Sequence, residues 1–399
     1  MEMLRVGVIG LGCRGYGLIY DAIVPQDNAK ITAVCDLYPD RVEEHQKKLS
    51  EHYGYEVKGF ADYRDLLASG LVDVVIVSTS WEAHVNVTCA ALEAGIPVGC
   101  EVGGAYSVDD CYRLVRTWER TKTPFMFLEN CNYDRRETSL FAMIKAGLFG
   151  KVVACDGGYM HDLRSEVCYG KENRHYRLRN YLARNGENYP THELGPIMKM
   201  LNINRGNRMV SLVSVASGAF GMNAYMQDKD PSHPTATAKF NQGDVVTTVI
   251  TCEGGETITL RLDTCLPRYY SRGITVHGTK ALYTEDNDTL FIDKEHEKYD
   301  WDAKALWGNF RELAKPYQNN DWNEVDGGKK VAGHGGMDYF MMRDFFTRLL
   351  NGEEPAIDVY DAAAMMVITP LSQQSIAQGG APVAIPDFTG GYYLIREPK

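Results

Sequence analysis

The residues best suited to chemistry fall into two groups. The first is built on Gly10-Leu11-Gly12-Cys13-Arg14-Gly15, which directly follows a short apolar run, with Asp36 standing 21 residues beyond Gly15. Glycines in this pattern allow a tight turn and a close approach of backbone to a pyrophosphate. A helix opening at the turn offers unpaired N–H groups and the positive end of its dipole. Asp36, at the end of the second apolar run, would accept from adenosine ribose hydroxyls and repel a 2′-phosphate, so the motif favours NAD over NADP. Trp81-Glu82-Ala83-His84, Glu101-Val102 and Glu129-Asn130 each follow a further apolar run. That places them at the carboxyl edge of the same sheet, where ligands of doubly wound folds bind. Each is a candidate cofactor contact, set against a helix cap for His84 and solvated carboxylates for Glu101 and Glu129.

The second group lies beyond residue 150. Tyr189-Pro190-Thr191-His192-Glu193-Leu194-Gly195-Pro196 puts a phenol and an imidazole three residues apart, near an expected helical run from Ile197. Tyrosine serves as acid or base when a cationic neighbour depresses its pKa, and histidine titrates near neutrality. The same residues could equally form a proline-fixed loop with a capping histidine. Gly158-Tyr159-Met160-His161-Asp162-Leu163-Arg164 ends a strand with several chemical groups, and Pro267-Arg268-Tyr269-Tyr270-Ser271-Arg272 is a basic–aromatic turn suited to a polar ring. His334-Gly335-Gly336-Met337-Asp338 precedes a helix, a place that favours a neutral imidazole. His161, His192 and His334 could converge on a metal, but no His, Cys or Asp set has convincing ligand spacing, so none is expected.

These residues need elements to hold them. Leu4–Ile9, Ile31–Cys35, Val74–Ser78, Val98–Cys100 and Phe125–Phe127 read as buried parallel strands, alternating with helices over Gly15–Val24, Arg41–His52, Ala83–Ala94 and Asp109–Arg120. That alternation predicts an α/β Rossmann domain, a doubly wound parallel sheet over residues 1–130. From 131 to 399 the texture changes. Val152–Met160, Met209–Ser217, Val245–Cys252, Thr257–Asp263, Gly273–His277 and Ala281–Thr284 alternate or are β-branched, with no regular helices expected between them. This predicts an α+β domain on a mostly antiparallel, open-faced sheet. Late helices are expected near Asp338–Asn351 and over Tyr360–Gln378, the latter packing back on the first domain. Lys294–Lys330, with Trp301, Trp307, Tyr317 and Trp322, reads as a long ordered loop.

Composition narrows the class. The chain has 399 residues, 44% of them hydrophobic and 24% charged, which excludes a disordered or collagen-like polymer. A net charge of −11 argues against nucleic acid as a partner. No 18-residue apolar run and no signal-like N-terminus is present, so neither a membrane span nor secretion is expected. Ten scattered cysteines without a CxxC pair read as buried free thiols of a reducing cytoplasm.

Taken together the motifs carry a resemblance. GLGCRG, WEAH, CEVGG, LENCNY, GGYMHDLR, NYPTHELGP followed by LNINRGNR, LPRYYSR and GHGGMDYFMMRDF run in family order from residue 10 to about 346. The chain resembles the glucose–fructose oxidoreductase and inositol dehydrogenase superfamily. Within it, the chain is most similar to glycoside hydrolase family 109, the NAD-dependent α-N-acetylgalactosaminidases. The resemblance implies NAD contacts from Cys13, Arg14, Asp36, Trp81 to His84, Glu101, Val102 and Asn130, with Tyr189 between NAD and sugar. It implies that Tyr159, Arg177, Tyr189, Pro190, Thr191, His192 and Tyr270 hold a glycoside, with His334 a further catalytic candidate. Two departures stand out. Sugar dehydrogenases of the superfamily carry Glu-Lys-Pro where this chain has Glu101-Val102-Gly103, so the lysine that assists hydride transfer is missing. Glu193 stands where the family is expected to have glycine, and a carboxylate beside the pocket would alter which sugar is accepted.

The mechanism this implies is transient oxidation at C3, proton loss at C2, departure of the C1 substituent, addition of water and re-reduction, with a tightly bound NAD that is not consumed. Tyr159 is the leading base for C2. Tyr189 and His192 would manage the C3 hydroxyl proton, His334 would serve as acid for the leaving group, and Arg177 would bind a polar substituent or lower a tyrosine pKa. The alternatives are an NAD-dependent sugar or cyclitol oxidoreductase, a glycosidase for another sugar such as an anionic one, and a non-catalytic sensor. A homo-oligomer, dimer or tetramer, is expected.

Overall fold

The computed structural model describes residues 3–296 and 303–398. It forms two units: Met1–Asp134 with Asn323–Ala363, and Arg135–Trp322 with Ala364–Lys399.

In the first unit six strands pair in parallel in the order β3-β2-β1-β4-β5-β6. They are β1 (Leu4–Ile9), β2 (Ala29–Cys35), β3 (Lys58–Phe60), β4 (Val74–Val77), β5 (Val98–Glu101) and β6 (Phe125–Leu128). Helices cover both faces, so β4 and β6 are buried at every residue, which is why they read as unbroken apolar runs. Strand order reverses between β1 and β4, and the glycine turn leaves β1 at that point. β3 and the short helix Tyr63–Ala68 were not expected; β3 has only three residues, none buried. One element comes from far along the chain. The helix Met337–Asn351 inserts Met341, Met342, Phe345 and Phe346, all 0% exposed, among Val6, Val8, Ile19, Ile76 and Leu128. Each such side chain contributes about 1.5–3 kcal/mol of burial.

The second unit is built on an eight-stranded sheet in the order β13-β12-β11-β7-β10-β9-β8-β14. Its strands are β7 (Val152–Met160), β8 (Met209–Ala216), β9 (Val245–Cys252), β10 (Thr257–Asp263), β11 (Thr275–Gly278), β12 (Ala281–Thr284), β13 (Thr289–Ile292) and β14 (Val383–Ala384). Only the β7–β10 pair is parallel. One face is covered: Ile258, Leu260 and Leu262 are at most 1% exposed, while Val215, Val249 and Leu282 stand at least 36% exposed on the other. Alternation in burial along β9, β10 and β12 follows from this one-sided cover.

Several expectations need correction. Helices do lie between these strands, at Arg164–Cys168, Arg177–Ala183, Thr191–Met200 and Gly221–Lys229. The helical run begins at Thr191, not Ile197, and Pro196 sits inside it. Pro196 forfeits one helical hydrogen bond, but Glu193 to Met198 are all buried, and packing outweighs propensity. The stretch 294–330 holds short helices at Ala303–Leu306, Phe310–Ala314, Lys315–Tyr317 and Asn320–Asp326; Trp301 lies outside the described residues. The expected helix over 360–378 is two, Val359–Met366 and Ile368–Ala377, with Pro370 in the first turn of the second, where no N–H donor is required. Ile368–Ala377 packs on β8. Among the described residues no helix is long and apolar enough to cross a membrane.

Candidate active site

The nucleotide turn of the first unit explains each of its glycines differently. Gly10 has φ +99°, and a Cβ there would lie 2.4 Å from the Ser78 carbonyl oxygen. A Cβ on Gly15 would lie 2.1 Å from the Gly10 carbonyl, so that glycine lets the helix sit against the strand. Gly12 is under neither constraint: its φ is −70°, and the nearest atom to a Cβ is Arg41 Nη1 at 3.4 Å. What a side chain at Gly12 would fill is the space above the helix opening, the space a pyrophosphate takes in such turns. Asp36, 9% exposed, accepts the Leu11 N–H at 2.7 Å and the Tyr38 N–H at 3.0 Å. Each carboxylate oxygen keeps a second lone pair for a ribose hydroxyl. These residues fit NAD.

Around the turn, Arg14 is held from several sides. Its guanidinium forms a two-pronged pair with Asp338 at 2.7 and 2.9 Å, and Nε lies 3.1 Å from Glu101. Asp338 also accepts from Asn130 Nδ2 at 2.8 Å, and His334 Nδ1 lies 2.7 Å from it. Burial would raise the Asp338 carboxyl, but the Arg14 charge and the His334 hydrogen bond hold it well below the usual range. His334 therefore groups with the first unit and not, as its motif company suggested, with Tyr159 and Tyr189. Asp338, unassigned in the sequence reading, is the hub of this cluster. Cys13 is exposed at the turn, unlike the nine other cysteines, which are buried and, like it, free.

The remaining first-unit candidates are more enclosed. His84 is 2% exposed, and its Nε2 donates to the Thr79 carbonyl at 3.0 Å. Burial pushes its pKa down to about 4, so the ring stays neutral and braces the turn before its helix. Trp81 is 4% exposed; a Cβ on Gly103 would lie 2.3 Å from its Cδ1, so the glycine after Val102 makes room for the indole. Val102 itself is 2% exposed.

In the second unit the candidate residues converge. Tyr159 is the penultimate residue of β7, and Tyr189 and His192 flank the start of the helix Thr191–Met200. The Tyr159 ring centre lies 4.6 Å from that of Tyr189, 5.6 Å from His192 and 6.2 Å from Tyr270. Pro190 and Thr191, between Tyr189 and His192, are buried, while Tyr270 is half exposed. Arg177 opens its own helix, with its guanidinium 5.3 Å from the Tyr189 ring centre and Nη1 donating to Glu166 at 2.6 Å. The expected lowering of a tyrosine pKa by Arg177 does not prevail at Tyr159. Burial raises that phenol more than Arg177 lowers it.

Three further points separate sequence from structure. Glu193 is 0% exposed and packs against β7, where a Cβ on Gly157 would meet its Cβ at 2.9 Å, and its charge raises the Tyr159 pKa. Arg268 pairs with Asp263 at 2.6 Å, and Arg272, 3% exposed, pairs with the buried Glu137 at 2.6 Å. Their charges are thus matched internally, which weakens the case for an anionic sugar. The sequence gives His161 no specific role beyond a candidate metal ligand; the structure sets its Nδ1 2.9 Å from the Tyr159 hydroxyl. The signal was its place two residues past Tyr159, the spacing that puts side chains on the same side of extended backbone.

Comparison with known proteins fits this geometry. Residues 4–128 match the oxidoreductase family with an NAD-binding Rossmann fold, and residues 133–395 match the C-terminal domain of glycosyl hydrolase 109. An alpha-N-acetylgalactosaminidase from Tannerella forsythia is 38% identical, over 99% of this chain and 88% of its own. A glycosyl hydrolase family 109 protein from Stenotrophomonas maltophilia is 36% identical, over 99% and 91%. Among solved structures, myo-inositol 2-dehydrogenase from Lactobacillus plantarum superposes with a TM-score of 0.68 at 16% identity, covering 96% of this chain and 100% of the other. An inositol dehydrogenase homolog from Azotobacter vinelandii, complexed with NADH and myo-inositol, gives 0.67 at 18%, covering 96% and 98%. The dehydrogenases share the fold; on sequence, the chain belongs to glycosyl hydrolase family 109.

Proposed function

We propose that this NAD-dependent glycoside hydrolase releases terminal N-acetylgalactosamine by oxidation, elimination, hydration and reduction on one sugar ring. The observation that carries the reading is the second-unit cluster of Tyr159, Tyr189, His192 and Arg177, together with a buried valine, Val102, where superfamily dehydrogenases keep a lysine. NAD, when bound, supplies a hydride acceptor for C3 that is restored each turnover and therefore stays tightly held. Gly10, Gly12, Gly15, Arg14 and Asp36 hold it, with Trp81, His84, Glu101, Val102 and Asn130 shaping the surrounding edge. Tyr189 and His192 exchange a proton with the C3 oxygen. Tyr159 removes the C2 proton, which a C3 carbonyl makes acidic. His334, anchored by Asp338, protonates the departing oxygen. Arg177, Pro190, Thr191 and Tyr270 position the ring and its polar substituent. A second copy of the chain is proposed to cover the open sheet face carrying Val215, Val249 and Leu282, which light scattering on the purified protein tests.

The decisive experiment is turnover of an N-acetylgalactosaminide in deuterium oxide. The released sugar should carry deuterium at C2 with no net reduction of NAD. Sugar released without label would refute elimination, and steady accumulation of reduced cofactor would identify an oxidoreductase instead.

A further inference from the structure

We infer that His161 is a positioning residue for proton transfer at C2, taking the phenolic proton of Tyr159 as Tyr159 takes the proton of the sugar. The inference rests on the elimination reading above and assigns a partner to its base.

The argument begins with the phenol. Tyr159 is 7% exposed, and burial leaves its pKa raised despite Arg177. A tyrosinate is therefore scarce at neutral pH, and a neutral phenol acts as a base only by giving up its own proton as it gains another. Arg177 also hydrogen-bonds the Tyr159 side chain, and a guanidinium can only donate. The phenolic oxygen is thus already an acceptor on that side, and its proton is directed to another partner. His161 Nδ1, at 2.9 Å, is that partner.

The imidazole is suited to receive it. The groups facing it are Asp162 beside it in sequence, Glu166 and Arg177 from two helices, His192 from a third, and Tyr270, whose ring centre is 5.2 Å away. Burial, then Arg177 and His192, push its pKa down; Glu166 and Asp162 oppose them without prevailing. The ring is neutral at pH 7, with Nδ1 bare and the proton on Nε2. His161 is only half buried.

The step balances. The C2–H bond breaks and its proton joins the Tyr159 oxygen, while the phenolic proton passes to Nδ1. The electron pair left at C2 forms the double bond that expels the C1 substituent. Imidazolium returns its proton through Tyr159 when C2 is reprotonated after water has added.

The test uses NAD-loaded enzyme and His161→Gln, whose amide oxygen can still accept the Tyr159 hydrogen bond but cannot take the proton. C2 exchange in deuterium oxide should fall by about a hundredfold or more. The acid limb of its pH profile should vanish, while the nicotinamide absorbance change on adding substrate persists. His161→Ala should regain exchange with added imidazole. Nitrogen NMR of cofactor-free protein should show an unprotonated, hydrogen-bonded Nδ1 that changes on Tyr159→Phe. Exchange within a few-fold of wild type, an unchanged acid limb, or a proton found on Nδ1 overturns the assignment. Absence of C2 exchange in the wild type itself would instead overturn the elimination reading beneath it.

Discussion

Glu187 offers the sharpest test of the electrostatics around the Tyr189–His192 loop. It is 1% exposed, two residues before Tyr189, with its N–H bonded to Ser372 Oγ and its carbonyl accepting from Thr369 Oγ1, both at 2.8 Å. Burial pushes its carboxyl up to about 8, and the Tyr189 N–H offsets this only in part. The folded protein therefore holds the proton more tightly than the unfolded chain, whose carboxyl titrates near 4.5. Stability from this group is complete below the unfolded value and declines as pH rises through the window up to about 8, beyond which the loss is constant. The linked penalty is roughly 3 kcal/mol at about pH 7 and under roughly 1 kcal/mol at about pH 5. Glu187→Gln keeps the shape and removes the titration. Its melting temperature, relative to wild type, should therefore improve by ~5 °C more at about pH 7 than at about pH 5. Scanning calorimetry of both proteins at both pH values reads this directly. An offset between the two that is the same at both pH values would refute the reasoning and show Glu187 to be ionised or solvated in the folded state.

Other substitutions probe the two units separately. Gly15→Ala forces a methyl to within 2.1 Å of the Gly10 carbonyl, so NAD binding by calorimetric titration should be lost while the second unit's thermal transition is kept. Asp36→Ser removes the charge that repels a 2′-phosphate and leaves Arg41, now 3.7 Å from Asp36, to meet it. The ratio of NADP to NAD affinity should rise by about fivefold or more, for a repulsion of about 1 kcal/mol. Asp338→Asn loosens Arg14, Asn130 and His334 at once, and NAD affinity measured by titration should drop by about tenfold or more. Tyr189→Phe should lower turnover by about a hundredfold or more with NAD affinity unchanged; unaltered turnover removes Tyr189 from the proton path.

What could be read from the sequence follows from how locally each feature is encoded. β4 and β6 are buried on both faces, so their identity is written in consecutive residues. The glycine turn is likewise local. The residues that escaped are those whose role depends on a partner distant in the chain. The amphipathic pattern of Met337–Asn351 marks a helix but not the sheet it joins, so His334 and Asp338 were not expected beside Arg14. Nothing in the text of the chain pairs Arg177 with Glu166 or Arg272 with Glu137. Glu187 is not singled out by the sequence, because burial of a lone carboxyl has no sequence signature.

The missing lysine shows how the two kinds of information combine. Sequence alone registers Glu101-Val102-Gly103 as a departure at one position. The structure shows two coupled changes: a Cβ at residue 103 would collide with the Trp81 indole, so the WEAH motif and the glycine require one another. A proline at 103, as in the dehydrogenase motif, carries such a Cβ and would displace Trp81 from the edge of the nucleotide turn. Restoring lysine at 102 alone would therefore not restore dehydrogenase chemistry, and it would place an ammonium where the side chain is 2% exposed. Under the proposed mechanism, proton handling falls to phenols and imidazoles. The second unit supplies them as Tyr159, His161, Tyr189 and His192 around one another.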